Sequence, residues 1–353
     1  MKASVPEMAG PQPPRTCILA EAVRSLLLCF VSPAWCLVAA LLAAVPYVRG
    51  QELRDIPATG VSPGALEEAP LDPARRLSLQ AAIKSRNYAR AETLLLEDIR
   101  RNPKSPQLLT LAGGIFFLDG KYLNSAIAMK KAEALAPLDD RSRFTLAMAY
   151  VTLEHRDWAR PELDRLAASD PRNALYPYWL SRLDYDAQQF SAAIAHARQA
   201  LALDPGFMKA YDNLGLCYEA LGKYDDAIQA YQDAVRLDHA SRAPSPWPAL
   251  NLGALLVKLS RLEDAEKYLK ESLRDDPRFP QAHYQLGALL ARQHQDAEAV
   301  QELKQAAALN PSYAEPYYLL GKIYQRQGNK NAAEAAWSTF QRLKKEKPKE
   351  QPH

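Results

Sequence analysis

The sequence predicts an all-α solenoid of about eight helix–turn–helix units, preceded by one apolar N-terminal helix. Three observations carry this. Prolines recur at Pro103, Pro137, Pro171 and Pro205, each 34 residues after the last, and Pro277 and Pro311 are again 34 apart. Within each period, apolar and small residues fall at spacings of three and four, which places them on one face of each of two helices. Alanine and leucine dominate the chain and only 14 glycines are present, a balance that suits a helical body. A fixed period sustained over about 270 of 353 residues is the mark of a stacked array.

The elements follow in order. Residues 1–24 form an N-terminal tail, and Ser25 to Val48 is a run of 24 residues without a charge, bounded by Arg24 and Arg49. A spanning helix needs roughly 20 residues and a signal-peptide core about 7–15. Length therefore favours a retained single-pass anchor in the membrane; the competing reading is an exported chain, cleaved near Gly50. Lys2, Arg15 and Arg24 precede the run, whereas Arg49 and Arg54 follow it. That bias puts the N-terminus in the cytoplasm and the repeats on the periplasmic or other extracytoplasmic side. Residues 49–71, rich in Pro, Ala and Gly, read as a linker.

The array occupies residues 72–343, with units opening at Asp72, Pro106, Asp140, Ala174, Met208, Pro246, Phe279/Pro280 and Ala314. From Pro205 to Pro277 is 72 residues, two periods plus four. The surplus lies near residues 239–248, where Ala243-Pro244-Ser245-Pro246-Trp247-Pro248 breaks the pattern. Asp170, Asp204, Asp276 and Asn310 precede the repeat-ending prolines. A residue before proline is pushed out of the α region, so each second helix stops there, and the Asx side chain turns the chain onward. Gly215, Gly253, Gly287 and Gly321 mark the closest approach of two helices. Ala227, Ala265, Ala299 and Ala333 are their small partners, and the larger Leu, Tyr and Trp residues fill the gap to the next unit. Arg75, Arg76, Gln80 and Lys84 give the first helix a polar capping face. Residues 344–353 read as a disordered basic tail, leaving Trp337 and Phe340 partly uncovered as a docking or self-association site.

In one unit Tyr211, Leu214, Gly215 and Tyr218 are followed by Ala227, Tyr231 and Ala234. In the last, Tyr317, Leu320, Gly321 and Tyr324 are followed by Ala333, Trp337 and Phe340. This resembles the tetratricopeptide repeat, with tyrosine in place of its first tryptophan. The resemblance implies a right-handed solenoid whose first helices line a concave groove for peptides or other proteins. Carried over by position, that groove shows Tyr178, Trp179, Arg182 and Tyr185, then Lys209, Asp212, Asn213, Trp247 and Asn251, and then Tyr284, Gln285, Arg292, Tyr318, Lys322 and Arg326. Asn213 and Asn251 share one register, and as paired amides they are expected to bond the backbone of an extended peptide. Lys209 and Asn213 partly match the carboxylate clamp of the chaperone-binding subclass, but Leu216 stands where that subclass carries asparagine.

Other chemistries lack their residues. The six histidines show no HExxH and no pair four apart, so neither a metal nor any other cofactor is expected. Cys217 is the one cysteine outside the leader region and reads as buried and inert; His196 and His283 read as ordinary surface or groove residues. No nucleophile elbow and no phosphate-binding glycine loop is present. The formal charge of +3 arises from 44 basic and 41 acidic residues spread along the chain, which gives no case for nucleic acid. The expectation is a non-enzymatic scaffold or adaptor. The alternatives are an assembly factor for envelope or pilus complexes, and an accessory subunit of an enzyme such as a glycosyltransferase.

Overall fold

The computed structural model describes residue 61 and residues 63–346, which fall in one compact unit. The uncharged run 25–48, the tail before it and the last seven residues lie outside the described residues. A short helix α1 (Pro63–Glu68) precedes eight helix pairs. These are α2 (Pro73–Lys84) with α3 (Tyr88–Arg101), α4 (Pro106–Leu118) with α5 (Tyr122–Glu133), α6 (Asp140–Thr152) with α7 (Arg156–Ser169), and α8 (Leu175–Asp186) with α9 (Phe190–Leu203). They continue with α10 (Met208–Ala220) and α11 (Tyr224–Asp238), α12 (Pro246–Lys258) and α13 (Leu262–Asp275), α14 (Pro280–Arg292) and α15 (Asp296–Leu309), and α16 (Glu315–Arg326) and α17 (Lys330–Glu346). Each pair packs against itself and then against the next pair, as a solenoid does. Among the described residues there is no strand, and no helix is long and apolar enough to cross a membrane.

Two kinds of turn build the array. Between the helices of a pair, one residue takes a positive φ of 56–75°: Arg86, Gly120, Glu154, Gln188, Gly222, Ser260, His294 and Gly328. The N–H of the next residue then reaches the carbonyl five residues back, as from Lys223 to Tyr218 and from Asn329 to Tyr324, both at 2.9 Å. This Schellman closure satisfies carbonyls that the end of a helix leaves open. Between pairs, Asp170, Asp204, Asp276 and Asn310 accept, on Oδ1, the backbone N–H two residues on, at 2.8–3.2 Å. The expected Asx turn around each proline is therefore formed.

Register within a pair is set at its eighth residue. A Cβ on Gly253 or Gly287 would stand 2.8 Å from Leu269 or Leu303, and one on Gly215 or Gly321 would overlap the Tyr231 or Trp337 ring. The expectation that such large residues fill the gap between units is corrected here. Tyr231 and Trp337 lie over the glycine of their own unit, where the missing side chain leaves space for a ring. In the fourth pair Ser181 takes the glycine register, and Ala197 takes the register of Tyr231. The Ser181 hydroxyl is satisfied by donating to Ala193 O at 2.7 Å.

Two boundaries differ from expectation, and the insert lies where the sequence places it. Within the segment read as a linker, α1 forms and buries Leu66, Ala69 and Leu71 against Leu79 and Leu108. Six residues are too few for a helical period to show in sequence. This helix, held by Arg76 donating to Glu67 O and Leu71 O, shares the capping of the first unit with the polar face of α2. At the other end α17 runs on to Glu346, past the start of the segment read as disordered, because Lys344 reaches Glu315 at 2.8 Å and Arg342 pairs with Glu346. At the insert, His239 stands where other units carry proline. The loop that follows is tied by Ser245 N–H donating to Asp238 at 2.8 Å and by His239 bonding Glu271.

Candidate interaction surface

Neighbouring first helices touch one another, α8 with α10, α10 with α12, α12 with α14 and α14 with α16, more closely than the second helices do. The first-helix side is therefore the inside of the curve, where the sequence places its groove.

Not every candidate lies open on that side. Tyr178, Trp179, Arg182 and Asn213 are buried between units, Asn213 to 1% exposure. The Tyr178 ring packs 4.9 Å from Phe207 and 5.5 Å from Trp179. Asn213 Nδ2 donates to Ser181 Oγ at 2.6 Å, and Ser181 passes the chain on to the Ala193 carbonyl. Asn251 instead donates to both oxygens of Asp212, at 2.9 and 3.1 Å. The expected pair of peptide-facing amides is thus corrected: each asparagine ties its unit to the one before. The shared register is real, but the neighbour differs. Ser181 offers Asn213 a buried hydroxyl, whereas Asp212 offers Asn251 a half-exposed carboxylate.

Arg292 and Arg326 are exposed, and each is also tied to the unit before it. Arg292 donates to Val257 O at 2.5 Å and to Ser260 Oγ at 3.1 Å. Arg326 bonds Asp296, with Nε at 3.0 Å, and reaches Ala291 O at 3.4 Å. One unit earlier Lys258 pairs with Glu219 at 3.1 Å. All three occupy the thirteenth position of a unit, beside the carbonyl end of the preceding first helix. Open carbonyls and the negative end of the helix dipole favour a cation there.

What remains accessible is partly aromatic. Tyr185 and Tyr284 are half-buried at their edges, yet burial pushes each hydroxyl up to about 12, so both stay protonated donors. Tyr284 packs 5.2 Å from Tyr313, and Trp247 meets Phe279 edge-on at 4.7 Å. Lys209, Asp212 and Gln285 are half-buried. Tyr318 is 41% exposed, tilts onto Phe340 at 5.3 Å and has the Lys322 ammonium 5.6 Å from its ring. Phe340 and Trp337 are half-buried, the indole lying against Gly321.

Other titratable groups serve packing. His196 Nδ1 bonds Asp184 at 2.6 Å, and Arg160 takes that carboxylate's other oxygen. His283 is wedged between Glu302 at 2.6 Å and the Pro277 carbonyl at 3.1 Å. Both histidines are half-buried and held by these bonds. Cys217 is fully buried, and desolvation pushes its thiol up to about 12. Among the described residues no cluster of His, Cys, Asp or Glu is arranged to hold a metal ion.

Two family models match the chain: one described as tetratricopeptide repeat over residues 78–140 and 178–242, and one described as TPR repeat over residues 293–328. Over those residues the array is similar to tetratricopeptide repeats. A curated relative, the TPR repeat-containing protein YpiA of Bacillus subtilis, is 28% identical over 113 residues, which cover 32% of this chain and 25% of that protein. The chain thus spans only about a quarter of that relative's length. Among solved structures, the array is similar to PilW, described as a widely conserved type IV pilus biogenesis factor. The TM-score is 0.52 at 24% identity, covering 57% of this chain and 92% of that one. It is also similar to pilF of Pseudomonas aeruginosa, with a TM-score of 0.53 at 19% identity, covering 59% of this chain and 92% of that one. These likenesses concern the fold.

Proposed function

We propose that the tetratricopeptide array is a non-enzymatic scaffold whose first-helix face holds a segment of a partner protein or peptide. Such folds bind other proteins as a class. The observation that carries the reading here is the accessible edge formed by Tyr318 and Lys322, continued by the half-buried Gln285, Tyr284 and Trp247. An aromatic with one exposed face and a nearby cation is the usual make-up of an interface anchor. The thirteenth-position straps hold successive units in register, so this face meets a ligand without reordering, which keeps the entropic cost of association low. Peptides selected against the full-length chain are expected to lose about tenfold or more in affinity with Tyr318→Ala plus Lys322→Ala, a loss of at least about 1.4 kcal/mol. Equal affinity for the folded double variant would rule out this edge.

A narrower reading makes the protein an assembly factor held on an envelope membrane, with the array on its outer side. It rests on the uncharged run from Ser25 to Val48. Membrane fractionation of the native chain, with and without alkaline extraction, tests it. Release by alkali would favour an exported or peripheral chain, and retention favours the anchor.

A further inference from the structure

Between α3 and α5, with α4 beneath, the second-helix side carries an apolar groove with a cavity of about 190 Å³. Leu109 and Phe116 form its floor, and Lys131 lies at one end. Leu96 and Ile127 form its rims and are 40% and 46% exposed.

The repeat supplies its own control. One unit on, the counterparts of Leu96, Ile99, Leu109, Ala128 and Lys131 are Lys130, Glu133, Arg143, Glu162 and Arg165. Those five fill their groove with ion pairs: Lys130–Glu133 at 2.5 Å, Arg143–Glu133 at 3.0 Å, Arg143–Glu162 at 2.6 Å and Arg165–Glu162 at 3.1 Å. Further along, the counterparts of Leu109 and Ala128 are His283 and Glu302, bonded at 2.6 Å. In the remaining units this pair includes the ion-paired Arg75, or His196, Tyr211, Tyr268 or Tyr317. Leu109 with Ala128 is the pair that brings neither an ion pair nor a ring, and the space stays open. One rim breaks the pattern too. Leu96 stands where later units carry Lys130, Asp164, Arg198, Gln232, Lys270, Lys304 and Ser338.

The surrounding charge is one-sided. Glu92 is paired with Lys121, Glu97 with Arg75, and Asp98 with Arg75 and Arg101. Arg100 and Lys131 form no ion pair among the described residues, and each lies one helical turn beyond a rim residue, Leu96 or Ile127. α3 and α5 run the same way, each antiparallel to α4, so both cations sit at the same end of the groove.

We propose that this groove is a second docking site, separate from the first-helix face, for an acidic amphipathic helix of a partner protein. One bulky apolar side chain of that helix enters the cavity, and Asp or Glu residues beside it meet Arg100 and Lys131. Ridges of a helix fit the channel between two parallel helices, and the recess suits a discrete side chain better than a lipid surface.

A displayed library of acidic amphipathic peptides, with leucine or phenylalanine at helical spacing, is panned against the full-length chain. Binding of the recovered peptides is then measured by fluorescence anisotropy. Two variants place residues that folded units already carry in these registers: Ala128→Tyr, as at Tyr268, and Leu96→Lys with Ile127→Gln, as at Lys270 and Gln229. Each is expected to weaken binding by about tenfold or more at unchanged melting temperature. Tyr318→Ala is expected to leave binding intact, which separates this site from the first-helix face. Lysine in place of the peptide's acidic residues is expected to abolish binding. The proposal is overturned if no recovered peptide responds to Leu96→Lys with Ile127→Gln. It is also overturned if lysine-bearing peptides bind equally well, or if vesicles of anionic phospholipid alone show the dependence on these residues.

Discussion

Gly215 faces the fully buried Tyr231 ring, and a methyl group at that position would overlap ring atoms. Gly215→Ala gains about 1 kcal/mol of helix propensity. Overpacking a rigid neighbour costs about 1–3 kcal/mol, and Tyr231 has little room to yield, since its hydroxyl also reaches Glu219 at 3.3 Å. A Cβ that would overlap a ring carbon puts this case at the upper end of that range, so the net expectation is a loss of about 2 kcal/mol. Tyr231→Ala alone opens a cavity and costs about 3–5 kcal/mol. The double variant resembles the Ser181 and Ala197 combination that the fourth unit already uses, so its loss falls short of the sum by at least about 1 kcal/mol. A repeat array does not unfold as one two-state block, so the readout is amide hydrogen exchange in α10 and α11, supported by urea melts. A Gly215→Ala variant as stable as the parent, or a cycle additive within about 0.3 kcal/mol, refutes the account of close packing.

Further outcomes follow from the same geometry. At Gly222 nothing obstructs a side chain, but φ is +71°, so Gly222→Ala is expected to cost about 1 kcal/mol through backbone strain alone, without coupling to Tyr231. Glycine at Gln188, whose φ is +58°, is expected to be neutral or stabilising in the same melts. Burial disfavours the charged His283 ring, but Glu302 and the Pro277 carbonyl outweigh it and raise the pKa, since both nitrogens face acceptors. The stabilisation is complete below the unfolded value of about 6.5 and fades as pH rises through the higher folded value. Melting temperature is therefore expected to fall across that window, and His283→Gln to flatten this part of the profile; an unchanged slope counts against the charged ring. Cys217, its thiol raised to about 12, is expected to resist iodoacetamide at pH 8 until the array unfolds, as mapped by mass spectrometry.

The period was legible because its causes are local. A proline after Asp or Asn ends a helix wherever it stands, and spacings of three and four declare a buried face in any single helix. The contacts that bind one unit to the next were less legible. Arg292 and Arg326 look like groove residues on their own helices, and their partners, Val257, Ser260 and Asp296, lie 30 or more residues away. Asn213 and Asn251 share a register but not an environment, and the one available hint was Ser181 in a glycine register. The left-handed turn position was hidden because five of its eight occupants are not glycine. The apolar groove was visible only through the departure of Leu96 and Leu109 from what the later units carry, which requires all eight units to be aligned.

The central claim, that partners lie along the first-helix face, is tested most directly by photo-crosslinking in the native host. A benzophenone side chain is placed at Tyr318, Lys322 or Gln285, and at Gln232 or Lys304 on second helices as controls. Discrete protein adducts are expected from the first set and none above background from the controls. Adducts equally strong at Gln232 and Lys304, or none at Tyr318 and Lys322, would contradict that claim.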